Sequence, residues 1–164
     1  MQNGKINKIW KLLETVPDPE IPVISVIDLG VIRDITVKNN YYKITITPTY
    51  SGCPAMKTIQ DDIKTCLKKN NINNFDFIIK YSPAWTTDWM SENGKRKLEE
   101  YGIAPPMDAT ADKAALLGNA KIVKCTNCGS TNTHLVSQFG STACKAMFKC
   151  DDCQEPFDYF KCLT

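Results

Sequence analysis

Two CxxC pairs late in the chain carry the strongest chemical signal. Cys125-Thr-Asn-Cys128 is followed by Gly129, and Cys150-Asp-Asp-Cys153 follows after residues 129–149. A CxxC turn aims two thiolates at one ion, and a glycine after it relieves the turn's backbone. Two such pairs offer four thiolates, Cys125, Cys128, Cys150 and Cys153, to one tetrahedral centre. That donor set suits zinc first and an iron–sulfur cluster second. Six of the eight cysteines follow Lys124. So short a segment buries too little surface to stay folded unaided, so a metal staple is expected there.

Cys144 and Cys162 exceed what a plain ribbon needs. Cys144 alternates with Ala146, Phe148 and Cys150 on one strand face. Both cysteines are either small buried hydrophobes or extra members of the ligand set. His134, the one histidine, reads as a surface residue within a hairpin. Farther upstream, Ser51-Gly52-Cys53-Pro54 precedes a helical stripe. Cys53 is expected at the N-cap with Pro54 at the first helical position. The partial positive charge of a helix start favours thiolate there, which would let Cys53 take up iron or a cluster transiently. The alternative is a cap-position cysteine packed under the Pro17–Pro22 loop. Asp18, Glu20 and Asp28 lie at loop ends. They either bond to ligands of a metal at Cys53 or serve as caps. Cys66 falls on an apolar helix stripe and reads as core. Trp85 and Trp89 flank Thr86-Thr87-Asp88, as a partner face or as core packing.

The elements that must position these residues are legible from periodicity. Ile6, Ile9, Trp10, Leu13 and Val16 recur at helical spacing, and the helix stops before Pro17. Asp34–Val37 and Tyr42–Thr47 read as strands joined at Asn39-Asn40, a hairpin signal. Ile59, Ile63, Cys66 and Leu67 form the stripe of a second helix. Phe75–Tyr81 is a third strand. Thr87 or Asp88 caps a helix running to Tyr101, with Gly102 as its stop. Thr133–Phe139 and Ala143–Phe148 form the hairpin of a ribbon. The expected class is α+β: an α-β-β-α-β-α domain over 1–103, a linker over 104–121 with a short helix at Asp112–Leu117, and a zinc-ribbon-like module over 122–164.

Composition narrows the function. The chain has 164 residues with 20 basic and 18 acidic side chains. Arg33 and Arg96 are its two arginines, thin provision for nucleic-acid readout. Lysines of the ribbon are offset by Asp151, Asp152, Glu155 and Asp158, leaving no basic stripe, so no nucleic-acid partner is expected. Apolar runs are too short for a membrane span. Met1–Thr15 scatters lysines among its apolar residues, unlike a secretion signal, so the cytoplasm is the expected compartment. There clustered cysteines mean metal or catalysis, not disulfides. Walker A, GxGxxG and GxSxG patterns are absent, which argues against self-contained nucleotide or serine-hydrolase chemistry.

Val16-Pro-Asp-Pro-Glu-Ile-Pro22, Asp28-Leu-Gly30-Val-Ile32 and Gly52-Cys53-Pro54 resemble the small domain family associated with metal–sulfur cluster assembly. Trp85-Thr-Thr-Asp-Trp89-Met-Ser91, Gly140-Ser-Thr-Ala-Cys144, Cys150-Asp-Asp-Cys153 and Glu155-Pro-Phe-Asp-Tyr-Phe-Lys-Cys162 resemble the D-subunit family of bacterial phenylacetate-CoA oxygenase (phenylacetyl-CoA epoxidase). The resemblance runs from Lys8 to Cys162. It implies a part in aerobic phenylacetate degradation, as an accessory that matures or repairs a metal centre, with the oxygenase or its iron–sulfur reductase as partner. It also maps the family's thiol onto Cys53 and its tail cysteines onto Cys125, Cys128, Cys150 and Cys153. Di-iron oxygenase sites need Glu and Glu-x-x-His ligands from a helical bundle, which a chain with one histidine cannot build. The expectation is therefore a non-catalytic accessory subunit. Alternatives are a structural docking subunit whose zinc only folds the tail, and a small electron-transfer protein. A homodimer is one arrangement this reading admits.

Overall fold

The structure, a computed structural model, describes residues 2–107 and 123–161. The helix expected at Asp112–Leu117, most of the linker, and Cys162 lie outside the described residues. The chain forms two units, Met1–Trp85 with Trp89–Ser91, and Thr86–Asp88 with Glu92–Thr164.

The first unit begins with α1 (Gln2–Leu13). Its stripe places Ile9 and Leu13 in the core. The hairpin follows as β1 (Ile32–Lys38) and β2 (Tyr41–Ile46), paired antiparallel. Asn39 and Asn40 have φ of 50° and 60°, the double left-handed turn that matches the twist of the strands. Helix α2 (Ala55–Lys69) buries Ile59, Ile63 and Leu67. Cys66 is half-buried on the flank of that stripe, its thiol 3.6 Å from the Leu12 carbonyl. It is thus a boundary residue, because α1 covers only part of the stripe. Strand β3 (Phe75–Ile79) lies parallel to β2, giving the sheet order β1-β2-β3. Adjacent parallel strands need a long crossover connection, and α2 supplies it.

The long loop 14–31 is clamped rather than free. Trp85 is buried, and its Nε1 donates to the Leu29 carbonyl at 3.0 Å. The Ser91 amide donates to the Asp28 carbonyl at 2.9 Å. Gly30 has φ +75°, and a Cβ there would lie 2.2 Å from the Trp89 carbonyl oxygen, so only glycine fits. The β1 register shifts between Ile32 and Asp34, and Arg33 lays its guanidinium 3.6 Å over the Trp89 ring. Trp85 is therefore core, and Trp89 is half-buried under Arg33. The open partner face considered for this pair is not formed.

Thr87–Trp89 forms a 3-10 turn, and in the second unit α3 spans Glu92–Glu100. The helix starts later than the expected cap at Thr87 or Asp88. Strand β4 (Ile103–Ala104) pairs parallel with β7 (Pro156–Phe160), and β5 (Thr133–Ser137) pairs with β6 (Lys145–Cys150). The sheet order is β4-β7-β6-β5. Its core joins Ala104, Val123, Cys125, Ala146, Phe148, Cys150, Phe157 and Tyr159. The ribbon thus recruits β4, a segment that the sequence limits assign to the first domain and the linker. No helix among the described residues is long and apolar enough to cross a membrane.

Candidate metal centre

Cys125, Cys128, Cys150 and Cys153 come together in the second unit, their sulfurs all within 4.8 Å of one another. The two turns that bring them there share a hydrogen-bond pattern. In the first, the Cys125 amide donates to the Ser130 carbonyl at 2.8 Å. In the second, the Cys150 amide donates to the Glu155 carbonyl at 2.9 Å. Each turn closes through a left-handed residue, Gly129 at φ +76° and Gln154 at φ +65°. Cys125 and Cys150 are buried in the unit's core, while Cys128 and Cys153 are exposed. Each turn therefore has one cysteine anchored by packing, Cys125 or Cys150, and one facing solvent, Cys128 or Cys153.

The spacing fits a thiolate-bound ion. A tetrahedral centre with bonds of about 2.3 Å to sulfur has edges of about 3.8 Å. Cys125 and Cys153 sulfurs are 3.7 Å apart, and Cys128 and Cys150 sulfurs 3.6 Å. All four are free thiols, separated too far for disulfides. Donors already point at the sulfurs. Asn127 Nδ2 donates to Cys153 Sγ at 3.6 Å, and the Cys153 amide to Cys150 Sγ at 3.5 Å.

These bonds set the protons apart. The Glu155 amide, helped by Asn127 and the neighbouring thiols, brings Cys153 down to about 7 against partial desolvation. For Cys128 the Ser130 amide pulls down, but the hydrogen bonds with Cys153, Cys150 and Cys125 and partial desolvation outweigh it and push the thiol up to about 12. Cys153 forms a thiolate readily, and Cys128 resists becoming a second. A cation at the centre removes that conflict, so metal uptake expels protons.

The other expected site residues are placed elsewhere. Cys144 is buried, 3.0 Å from Thr142 Oγ1, and is not in the four-sulfur group. His134 is exposed and pairs through Nδ1 with Asp151 at 2.9 Å. Cys53 is half-buried on the loop before α2. The cap position belongs to Pro54, with φ −67° and ψ −25° and no side-chain capping bond, so Cys53 precedes the cap by one residue. The shift has a simple cause: proline has no N–H to satisfy and its fixed φ suits the entry to the helix. The Cys53 amide donates to the Tyr50 carbonyl at 3.3 Å across Gly52, whose φ is +84°.

Two of the three loop carboxylates, Asp18 and Asp28, hold backbone. Asp18 Oδ1 accepts from the Glu20 and Ile21 amides at 2.9 and 2.8 Å. Asp28 Oδ2 accepts from the Ser25 amide at 3.3 Å and Oδ1 from the Ser91 hydroxyl at 2.7 Å. Glu20 is half-buried beside Asp18. Among the described residues none of these acids joins a cluster of three or more metal-ligating groups. Sequence reasoning missed Asn127, Ser130 and Asp152 around the sulfurs. Their position inside or beside the CxxC turns was the available signal.

Comparison with known proteins divides the chain in the same sense as its chemistry. Residues 109–161 match the PaaD zinc beta ribbon domain, and residues 6–71 match an iron–sulfur cluster assembly protein family. A protein of Escherichia coli (strain K12), named as the putative D subunit of 1,2-phenylacetyl-CoA epoxidase, is 44% identical over 97% of this chain and 94% of its own length. An "Fe-S protein maturation auxiliary factor" of Porphyromonas gingivalis (strain ATCC BAA-308 / W83) is 34% identical over 55% of this chain and 87% of its own. The crystal structure of a domain of unknown function from Bacillus anthracis superposes with a TM-score of 0.56 at 34% identity, covering 59% of this chain and 93% of that domain. Identity of 44%, sustained through both the assembly-type domain and the four-cysteine ribbon, places the chain in the D-subunit family of phenylacetyl-CoA epoxidase.

Proposed function

We propose that this chain is an accessory subunit of a phenylacetyl-CoA epoxidase system that assembles or maintains an iron or iron–sulfur centre of the oxygenase or its reductase. One observation carries the reading: a single chain, similar throughout to an epoxidase D subunit, also matches iron–sulfur maturation factors over much of its length. In this reading the two kinds of thiol have separate work. Cys125, Cys128, Cys150 and Cys153 hold a resident metal, with zinc favoured by the plain tetrahedral donor set. Bound there, the ion offsets thiolate repulsion and ties the two turns together. Cys53 handles cargo. Its Sγ gives up a proton and replaces one thiolate on the incoming iron, and the displaced thiolate takes a proton. No electrons change hands. Asp18 and Asp28 support this step by fixing the loop 17–30, and Glu20 stands beside Asp18. Cys144 packs the ribbon, and the proposed compartment is the cytoplasm.

The test uses cells that make the other epoxidase components without this chain, with the wild-type chain, or with Cys53→Ser. Iron in the purified oxygenase and reductase is expected to fall without the chain. The wild type should restore it and Cys53→Ser should not. Full iron content in the absence of the chain would overturn the proposal.

A further inference from the structure

Four ligands from two turns hold a metal well only if the turns are kept at one separation. The sheet joins their roots: Thr133 pairs with Cys150, and the Asp151 amide donates to the Asn132 carbonyl at 2.8 Å. Beyond that bond the second turn, carrying Cys153, continues past the sheet. Asp152 reaches back from it. Its Oδ1 accepts from Asn132 Nδ2 at 2.8 Å, and its Oδ2 accepts from the Ser130 hydroxyl. That hydroxyl is itself fixed, accepting from the Asn132 amide at 2.9 Å. Ser130 closes the first turn twice over. Its carbonyl takes the Cys125 N–H at 2.8 Å, and its amide donates to the Cys128 sulfur. Contacts therefore run from Asp152 on one turn, through Ser130, to two ligands on the other.

We propose that Asp152 is a positioning residue for the metal centre, its carboxylate spanning the two turns and holding Ser130, and through it Cys125 and Cys128, at ligating geometry. The inference rests on the reading that the four cysteines hold a metal. Asp151 provides an internal comparison. It carries the same charge one residue away, but its carboxylate turns to His134 and bridges nothing between the turns. An effect of charge would appear at both acids, and an effect of bridging only at Asp152.

The experiment loads the full chain with Co2+, whose absorption reports tetrahedral thiolate coordination. Release to a chelator and the position of the sulfur-to-cobalt charge-transfer band are followed for wild type, Asp152→Ala, Asp152→Asn and Asp151→Ala. Groups that orient metal ligands typically change affinity by about 10–100-fold when removed, and Asp152→Ala is expected to accelerate release by that order. The band should also shift, because the Ser130-to-Cys128 bond loosens. Asp152→Asn keeps one oxygen acceptor and should fall between. Asp151→Ala should match the wild type. Band position reads only the bound fraction, so a partly unfolded variant would lose amplitude without imitating the shift. Wild-type release and band position in Asp152→Ala would overturn the proposal, as would equal acceleration in Asp151→Ala. A wild-type chain that takes up no cobalt would instead overturn the metal reading beneath it.

Discussion

At the residue scale, the two metal turns differ most at their closing positions. Both need a left-handed backbone, and Gly129 supplies it freely while Gln154 does not. A side chain in that region costs roughly 1–2 kcal/mol. Gln154 recovers part of this through Nε2, which donates to the Asp151 carbonyl at 2.7 Å. Gln154→Gly is therefore expected to stabilise the second unit by about 0.5 kcal/mol, after allowing for glycine's greater freedom in the unfolded chain. Gly129→Ala should destabilise it by about 1 kcal/mol. An added Cβ meets only the flexible end of Lys124, at 3.4 Å, so backbone strain, not collision, sets the cost. Thermal unfolding of the metal-loaded chain checks both. The convergence of the four cysteines was legible because cysteine is rare and its spacing is stereotyped. Asp152 was not, because an exposed acid between two cysteines looks like any solvated charge until its hydrogen bonds are known.

At the element scale, the loop 14–31 is held by groups far along the chain. Gly30 passes so near Trp89 that a Cβ would lie 2.2 Å from a backbone oxygen. Overpacking costs about 1–3 kcal/mol and the positive φ adds strain. Gly30→Ala is thus expected to lower the stability of the first unit by about 3 kcal/mol, read from the denaturant midpoint of tryptophan fluorescence. If the midpoint stays unchanged, the loop is not clamped as described. Local signals predicted what local forces decide: the Asn39-Asn40 turn, the α2 stripe, and the alternation that buries Cys144, Ala146, Phe148 and Cys150. They failed where a partner distant in sequence decides. Strand β4 is two residues long and forms because β7 offers an edge. Pro54 takes the cap because helix and loop meet there, a matter of one residue that periodicity does not resolve. Trp85 is buried by Leu29 and its neighbours, and no window around Trp85 contains them.

At the scale of the whole molecule, the chain carries thiols in two settings. Four sulfurs converge within 4.8 Å in one unit, and Cys53 sits half-buried on a loop of the other. The first arrangement can grip an ion on every side. In the proposed division of labour, Cys53 shares a passing iron with ligands from other molecules. This division of labour between resident metal and cargo is tested by metal and acid-labile sulfide content after anaerobic purification and reconstitution with iron and sulfide, for wild type, Cys53→Ser and Cys150→Ser. Expected are zinc equimolar with the wild-type chain together with bound iron, loss of the iron alone in Cys53→Ser, and loss of the zinc in Cys150→Ser. Zinc with no iron in the wild type, or iron that Cys53→Ser retains, would contradict it.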